Sequence, residues 1–310
     1  MIASALSRFR RTVVLFFRRP GIKKTTRILG SVLKVGFFLG VMLILYLPIV
    51  FIAIQSVNQS NSLYNFSGFT FEYWLNVLTF DIPSKAVENA ITTTMLVAII
   101  ATVVATVAGT IFAIGIHSLS RRKRQGMVIL NQVPILNADI ITGISMMMVF
   151  RLLLNLIPDA FQFGFVTLVI AHIFFCIPYV VLSVLPKLAE LDDNLYDAAL
   201  DLGCTPASGI VKVIVPAIGS GILSGMLIAF TMSIDDYLIS LFNAGQRGIG
   251  GDNLSMYVYN AANRIIEHEV YAFSSILSTG VFVLLLAIYL RSALKKKSAE
   301  RHKVLSQQKI

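Results

Sequence analysis

The sequence predicts an all-α membrane protein with six transmembrane helices and both termini in the cytoplasm. Its composition is the first reason: 56% of the 310 residues are hydrophobic and only 14% are charged, against about 25% charged residues in a soluble domain. The second is that six apolar segments are each long enough to cross a hydrocarbon core, which takes about 20 helical residues. The third is that Lys and Arg collect in alternate links between those segments.

Each predicted span is a mostly apolar run with polar or basic residues near its ends. The predicted spans are residues 35–55, 90–116, 136–157, 164–185, 217–242 and 271–290. We therefore divide the chain into a basic cytoplasmic tail (1–30), one membrane domain (31–293) and a second basic cytoplasmic tail (294–310). The longest cytoplasmic link, residues 186–216, belongs to the membrane domain.

The distribution of positive charge orients the chain. The segment before the first span, the links after the second and fourth spans, and the segment after the sixth span hold 22 of the 26 Lys and Arg residues. The positive-inside rule places that side in the cytoplasm, where the N-terminal tail is expected to contact anionic lipid headgroups. Topology accounts for the net charge of +10, and no basic-aromatic module accompanies it, so nucleic acid is not a predicted partner.

The link 186–216 is polar and is predicted to form a helical hairpin. Asp192 and the two residues after it can cap a short helix. The small and apolar residues of that helix are Leu195, Ala198, Ala199 and Leu202. Gly203 suits the end of the helix, where a left-handed backbone is needed, and Thr205-Pro206 begins a second helix with an N-cap followed by proline. Such a hairpin is small enough to enter a groove on another protein.

The same link carries the spacing of the Glu-Ala-Ala loop of bacterial ABC importer permeases. That loop reads Glu-Ala-Ala, three residues, Gly, nine residues, Ile, one residue and Leu-Pro. The corresponding positions here are Asp197, Ala198, Ala199, Gly203, Val213, Val215 and Pro216. The spacing is complete, with Asp in place of Glu and Val at both aliphatic positions. The chain therefore resembles the permease subunits of type I ABC importers.

Three acidic residues inside the predicted spans are candidates for a substrate pathway. Asp235 and Asp236 lie past the middle of the fifth span, and Asp139 lies near the cytoplasmic end of the third. An ionised side chain at such a depth costs about 2.5–3.5 kcal/mol to insert. Adjacent helical residues point about 100° apart, so one of the paired acids can line a pathway while the other caps or pairs with a helix. Two roles stay open for the pair: attraction of a cationic substrate, and a structural role as a helix break or an interhelical contact that holds the bundle together. The structural role is favoured for Asp139.

Other residues are expected to serve packing rather than chemistry. His172, deep in the fourth span, is expected to form a hydrogen bond between helices rather than to bind a ligand. Gly221 and Gly225 have the spacing at which helices approach closely, within the chain or against a second permease. Cys176 and Cys204 give neither a disulfide framework nor a metal cluster. The chain has no Gly-x-x-x-x-Gly-Lys-Ser/Thr loop to hold phosphates, so it does not hydrolyse ATP by itself.

The resemblance covers nearly the whole chain beyond the N-terminal tail and is closer to the second permease of bacterial spermidine/putrescine importers. Besides the loop, it is carried by the run Phe-Thr-Met-Ser-Ile-Asp-Asp that ends at Asp236. It is also carried by Asn137-Ala138-Asp139-Ile140, which is similar to that family's Ser-Pro-Asp-Ile but lacks its proline. The resemblance implies a multi-pass protein of the bacterial cytoplasmic membrane that transports a polyamine, a polycation for which paired carboxylates are suited.

The resemblance also implies the partners. These are a second permease, two ATP-binding subunits that hold the ATP and magnesium, and an extracytoplasmic substrate-binding protein. In the ATPase contact, Ala198, Ala199 and Gly203 would form the buried centre. Lys187, Glu190 and Asp201 would lie at its rim.

Three alternatives are weighed against the polyamine permease. The same permease role for a different small solute stays open, because related permeases share the loop. A self-sufficient secondary transporter usually has inverted repeats or broken helices in matched halves, and the sequence shows neither. A membrane-embedded enzyme lacks its nucleophile, base or metal ligands in this sequence.

Overall fold

A computed structural model of the chain describes residues 20–60, 65–157, 162–192, 194–245, 251–261 and 266–307. Within these ranges the chain is helical, with one isolated β-bridge between Asn58 and Phe69. It divides into two compact units. The larger one comprises Leu75–Val270, and the other is formed by the segments on either side of it. The predicted all-α class is therefore confirmed for the described residues.

Thirteen α-helices follow one another through the described ranges. They are α1 (Pro20–Gln55), α2 (Glu72–Thr79), α3 (Lys85–His117), α4 (Arg121–Leu136), α5 (Asp139–Leu156), α6 (Phe165–Ala189), α7 (Asn194–Asp201), α8 (Pro206–Gly209), α9 (Val215–Ala217), α10 (Gly219–Asp235), α11 (Leu238–Asn243), α12 (Leu254–Asn260) and α13 (His268–Gln307). A π-helical turn, Ile210–Ile214, joins α8 to α9. Both α1 and α13 run without interruption through the predicted tail boundaries at residues 30 and 293.

Four of the described helices are long and apolar enough to cross a membrane: α1 from Leu33, α3 with Ser118, α5 and α6. A fifth crossing results if Pro206–Ala217 and Gly219–Asp235, which meet at an angle of 74°, are counted together. The apolar part of α13, His268–Leu284, is shorter. The six-span topology and the cytoplasmic termini stay predictions.

The third predicted span is preceded by a helix that the sequence did not predict. This helix, α4, is separated from α5 by Asn137 and by Ala138, whose backbone is extended (φ −65°, ψ 137°). Asn131 of α4 donates a hydrogen bond of 3.2 Å to the carbonyl of Pro178, near the middle of α6. Helix α4 therefore contacts α6 before the chain continues into α5, which begins at Asp139.

The fifth predicted span, 217–242, is not one continuous helix, and the helix break that was one of the two roles open for Asp235 and Asp236 is present. The chain bends at Ile218 before α10 begins. At its other end α10 stops at Asp235, Asp236 is extended (φ −67°, ψ 129°), and α11 begins at Leu238. The fifth predicted span is therefore interrupted between α10 and α11, and α4 and α5 are separate helices joined at Asn137 and Ala138.

The core of the larger unit lies where α3, α6 and α10 meet. Gly225 allows α10 to approach α6 closely, since a Cβ atom there would lie 3.1 Å from the Cα of Val180. At Gly221 a Cβ would lie 2.7 Å from Cγ of Lys187. The predicted close packing at these two glycines is confirmed, and it occurs within the chain. On α3, a Cβ at Gly109 would lie 2.7 Å from Cβ of Val180.

Candidate functional site

The link between α6 and α10 reverses direction at Gly203. Its φ of +88° lies in the left-handed region, where a residue with a Cβ atom is strained. The N–H of Gly203 donates to the carbonyl of Leu200 (2.9 Å), and the N–H of Cys204 donates to the carbonyl of Ala199 (3.1 Å). These are the two hydrogen bonds of the Schellman motif, which pairs the free carbonyls at a helix end. The predicted helix end at this glycine is confirmed.

The second arm of the hairpin begins as the sequence predicts. Thr205 Oγ1 accepts a hydrogen bond of 3.3 Å from the N–H of Ser208, and Pro206 occupies the first helical position. The arms then touch, because a Cβ atom on Gly209 would lie only 3.3 Å from the ring of Tyr196 on α7. The two arms thus form one small packed unit.

Most of the residues predicted for the Glu-Ala-Ala loop and its ATPase contact lie on the outside of this hairpin. The exposed ones are Asp197, Ala198, Asp201, Gly203 and Pro216. Ala199 is instead buried inside the chain, with 6% exposure, so it is not free to form the centre of an intermolecular contact. Leu202, one of the apolar residues of the first arm, is 87% exposed at the tip of the hairpin. The predicted rim residues Lys187 and Glu190 form an exposed ion pair with each other (2.7 Å).

The hairpin is anchored in the core of the larger unit. Ile214 and Ile218 are buried, and Tyr196 packs against the same cluster, which includes Leu188 at the end of α6. A cavity of about 540 Å³ separates the root of the hairpin, at Tyr196 and Ile214, from the end of α3 near His117. Since the hairpin joins α6 to α10 and shares their core, a force on it acts on both helices.

A second candidate site lies at the break between α10 and α11, where Asp236 is buried. Its Oδ1 accepts a hydrogen bond from the N–H of Ile239 (3.1 Å), and its Oδ2 accepts from the N–H and the hydroxyl of Ser240 (both 2.8 Å). Asn253 Nδ2 donates to the Asp236 carbonyl (2.8 Å). These side chains satisfy the backbone groups that a break leaves unpaired, which explains how the helix can end inside an apolar segment.

His172 of α6 joins both sides of this break. Its Nδ1 lies 2.8 Å from Ser233 Oγ on α10, and its Nε2 lies 3.0 Å from Ser240 Oγ on α11. The same Nε2 lies 3.5 Å from Asp236 Oδ2. The predicted role of His172 as a hydrogen-bonding group between helices is confirmed.

The other two candidate acids differ from Asp236 in exposure. Asp235, the last residue of α10, and Asp139, the first residue of α5, are both exposed. Asp139 lies within electrostatic range of Asp236, and α5 contacts α11 through a 3.2 Å hydrogen bond from Asn243 Nδ2 to the Gly143 carbonyl. The two helix breaks therefore lie near each other, with two exposed carboxylates and one buried carboxylate.

Residues 105–297 match the family described as the inner membrane component of binding-protein-dependent transport systems. That match covers more than half of the chain. The chain belongs to this family. The resemblance to the permeases of type I ABC importers is thereby confirmed.

This permease is similar to two curated relatives from Escherichia coli (strain K12). It is 29% identical over 255 residues to the putrescine transport system permease protein PotI, covering 82% of this chain and 88% of PotI. It is 28% identical over 269 residues to the spermidine/putrescine transport system permease protein PotC, covering 87% of this chain and 97% of PotC. A bacterial ABC transporter involved in the import of the acidic polysaccharide alginate shares the fold, with a TM-score of 0.62 at 15% identity over 88% of this chain and 96% of that one.

Sequence reasoning did not identify the polar partners of Asp236 in this permease. Ser233, Asp236, Ser240 and Asn243 recur at intervals of three or four residues, which places them on one side of a helical segment. That periodic polar face in an otherwise apolar run is the signal that would have found them. Asn253, beyond a loop, has no such signal.

Proposed function

We propose that this permease forms half of the translocation pathway of an ATP-driven polyamine importer in the bacterial cytoplasmic membrane. The observation that carries the proposal is the pair of exposed carboxylates, Asp235 at the end of α10 and Asp139 at the start of α5. Carboxylates in a cleft with low-dielectric walls raise the local concentration of cations, and a polyamine is a flexible polycation. The transport functions in the names of PotI and PotC support this substrate class.

The proposed topology has six spans with both termini in the cytoplasm. The segment Pro206–Asp235 provides the fifth span, and the start of α13 provides the sixth. At 40 residues, α13 is about 60 Å long, twice the thickness of a hydrocarbon core. It can therefore cross the bilayer and continue into the cytoplasm, as its basic C-terminal part requires under the positive-inside rule.

In the proposed mechanism, the hairpin docks into a groove of an ATP-binding subunit. The exposed Ala198, Leu202 and Gly203 provide a small apolar tip for that contact. ATP and magnesium are held by the ATP-binding subunits, and closure of those subunits moves α6 and α10 through the root of the hairpin. The full assembly comprises two permeases, two ATP-binding subunits and an extracytoplasmic binding protein that delivers the substrate.

Two other functions are less well supported. Permeases for a different solute share the fold, since an alginate transporter has it, so the solute must be inferred from the acids and not from the architecture. A self-sufficient secondary transporter would explain the broken helices, which are present after all. The family assignment and the packed hairpin support an ATP-driven system instead.

The proposal is tested with the reconstituted complex of this permease and its partner subunits. We expect spermidine or putrescine, delivered by the binding protein, to stimulate ATP hydrolysis, whereas neutral sugars and acidic solutes do not. We also expect Asp235→Asn to reduce polyamine uptake more than it reduces assembly of the complex. Stimulation by an unrelated solute, with none by polyamines, would contradict the substrate class and leave the permease role intact.

A further inference from the structure

We propose that His172 is a positioning residue that clamps the break between α10 and α11 and thereby sets the direction of the Asp235 carboxylate. Asp236 is the centre of this clamp rather than a ligand of the substrate. Ser240 and Asn253 complete it. The substrate part of this inference rests on the proposed function, whereas the clamp depends only on the geometry of the break.

The clamp first satisfies the backbone at the break. Two N–H groups at the start of α11 and the carbonyl of Asp236 have no partner within a regular helix there. In hydrocarbon, unpaired backbone groups are strongly unfavourable. The Asp236 carboxylate accepts from both N–H groups, and Asn253 donates to the carbonyl. The interruption therefore persists only while these two side chains stay in place.

The Asp236 carboxylate has little capacity left for a substrate. It already accepts three hydrogen bonds, from the N–H of Ile239 and from the N–H and hydroxyl of Ser240. His172 Nε2 faces one of the same oxygens at 3.5 Å, and the Asp236 side chain is only 4% exposed. A carboxylate has about four acceptor positions, so an ammonium group would have to displace part of the clamp. Asp235, by contrast, is exposed.

The hydrogen atoms of the network can be assigned by counting donors. The single hydroxyl hydrogen of Ser240 is donated to Asp236, so its Oγ accepts from Asn253 Nδ2 (2.8 Å) and from His172 Nε2 (3.0 Å). His172 therefore carries a hydrogen on Nε2, and in the neutral imidazole its Nδ1 accepts from the Ser233 hydroxyl. Every polar atom of a neutral imidazole is paired in this arrangement.

Asp235 is held from both sides by this arrangement. Ser233, two residues before it, is bound to His172, and Asp236, one residue after it, caps α11 and faces the same imidazole. Loss of the imidazole would free the last turn of α10 while leaving Asp235 chemically unchanged. The expected result is a carboxylate that is present but misdirected.

The test measures the reactivity of position 235 in the assembled, nucleotide-free complex. In a chain with Cys176→Ala and Cys204→Ser, a single Asp235→Cys thiol is modified with a cationic methanethiosulfonate reagent. His172→Gln supplies an amide donor and an amide acceptor in place of the two ring nitrogens, whereas His172→Phe supplies a ring without hydrogen bonds. We expect the Gln variant to keep the modification rate within about twofold and the Phe variant to change it by roughly tenfold.

Two controls make the result interpretable. A cysteine at Thr79, an exposed residue at the end of α2 and outside the hairpin, should be modified at the same rate in all three backgrounds. Ser233→Ala removes only the hydrogen bond between His172 and α10. It should therefore change the modification rate in the same direction as His172→Phe but by less, and it provides a test if the His172→Phe variant assembles poorly. An unchanged rate in both the Phe and Ser233→Ala chains overturns the clamp, and equal changes with Gln and Phe show that ring packing, not hydrogen bonding, is responsible.

The same experiment separates this inference from the proposed function. The modification rate is measured without substrate, so it is valid whichever solute the complex transports. If polyamines fail to stimulate ATP hydrolysis while the rates follow the expected order, the substrate class is wrong and the clamp stands. If polyamines stimulate hydrolysis and the rates do not change, the clamp is wrong and the importer stands.

Discussion

Substitutions at Gly203 can separate the shape of the hairpin from its charge. The residue has a φ of +88°, and a Cβ atom at this position would meet no atom within 4 Å. A side chain at this position therefore reduces stability only through the backbone conformation, by about 1–2 kcal/mol for a residue that avoids the left-handed region. Asn and Asp adopt that region more readily than other residues with a Cβ atom.

Three variants follow from this difference. Gly203→Val should shift the folded-to-unfolded ratio of the hairpin by about 5- to 30-fold and reduce substrate-stimulated ATP hydrolysis. Gly203→Asn keeps the turn and should retain most of the stimulation. Gly203→Asp has nearly the same shape as Asn but adds a charge to the proposed docking surface, so we expect it to abolish coupling. All three should insert normally, since this residue is exposed and lies outside the core.

The assay compares ATP hydrolysis with and without substrate in the reconstituted complex. Hydrogen exchange over residues 194–217 reports separately on the stability of the hairpin. Wild-type coupling by both the Val and Asp variants would refute docking through this hairpin. Equal loss of substrate-stimulated ATP hydrolysis in the Gly203→Asn and Gly203→Val variants would show that the glycine provides the contact surface and not the backbone conformation.

Three further substitutions test the local physical arguments. Gly109→Ala places a methyl group 2.7 Å from Val180 Cβ and should destabilise the folded permease by about 1–3 kcal/mol, which is measured in a thermal melt. Gly115→Ala on the same helix is the matched control, because a Cβ atom there would meet no atom within 4 Å. Thr205→Ala removes a helix cap and should cost about 1 kcal/mol, seen as faster hydrogen exchange in the second arm; unchanged exchange contradicts the cap. Phe80 is 60% exposed and has a φ of 55°, so Phe80→Asn should relieve backbone strain and raise the melting temperature. A lower melting temperature would show that the exposed ring has a packing role.

Features that depend on neighbouring residues could be predicted from the sequence. The turn at Gly203 and the cap at Thr205 each depend on a few consecutive residues, and both are found where they were expected. The close approach at Gly221 and Gly225 follows from helical spacing alone.

The break inside the fifth predicted span could be proposed from Asp235 and Asp236 but not decided from the sequence. Hydropathy stays high through residues 217–242, and this by itself indicates one helix. The break at Asp236 depends on His172 and Asn253, which are distant in the sequence and reach it only when α6 packs against α10 and α11 and the residue before α12 hydrogen-bonds to Asp236. Composition and local backbone preferences account for the all-α class and the hairpin, and the spacing of the Glu-Ala-Ala loop indicates the family. Which acid is buried and which is exposed depends on the tertiary structure, because hydrogen-bond partners from separate helices decide where a helix inside an apolar segment can end.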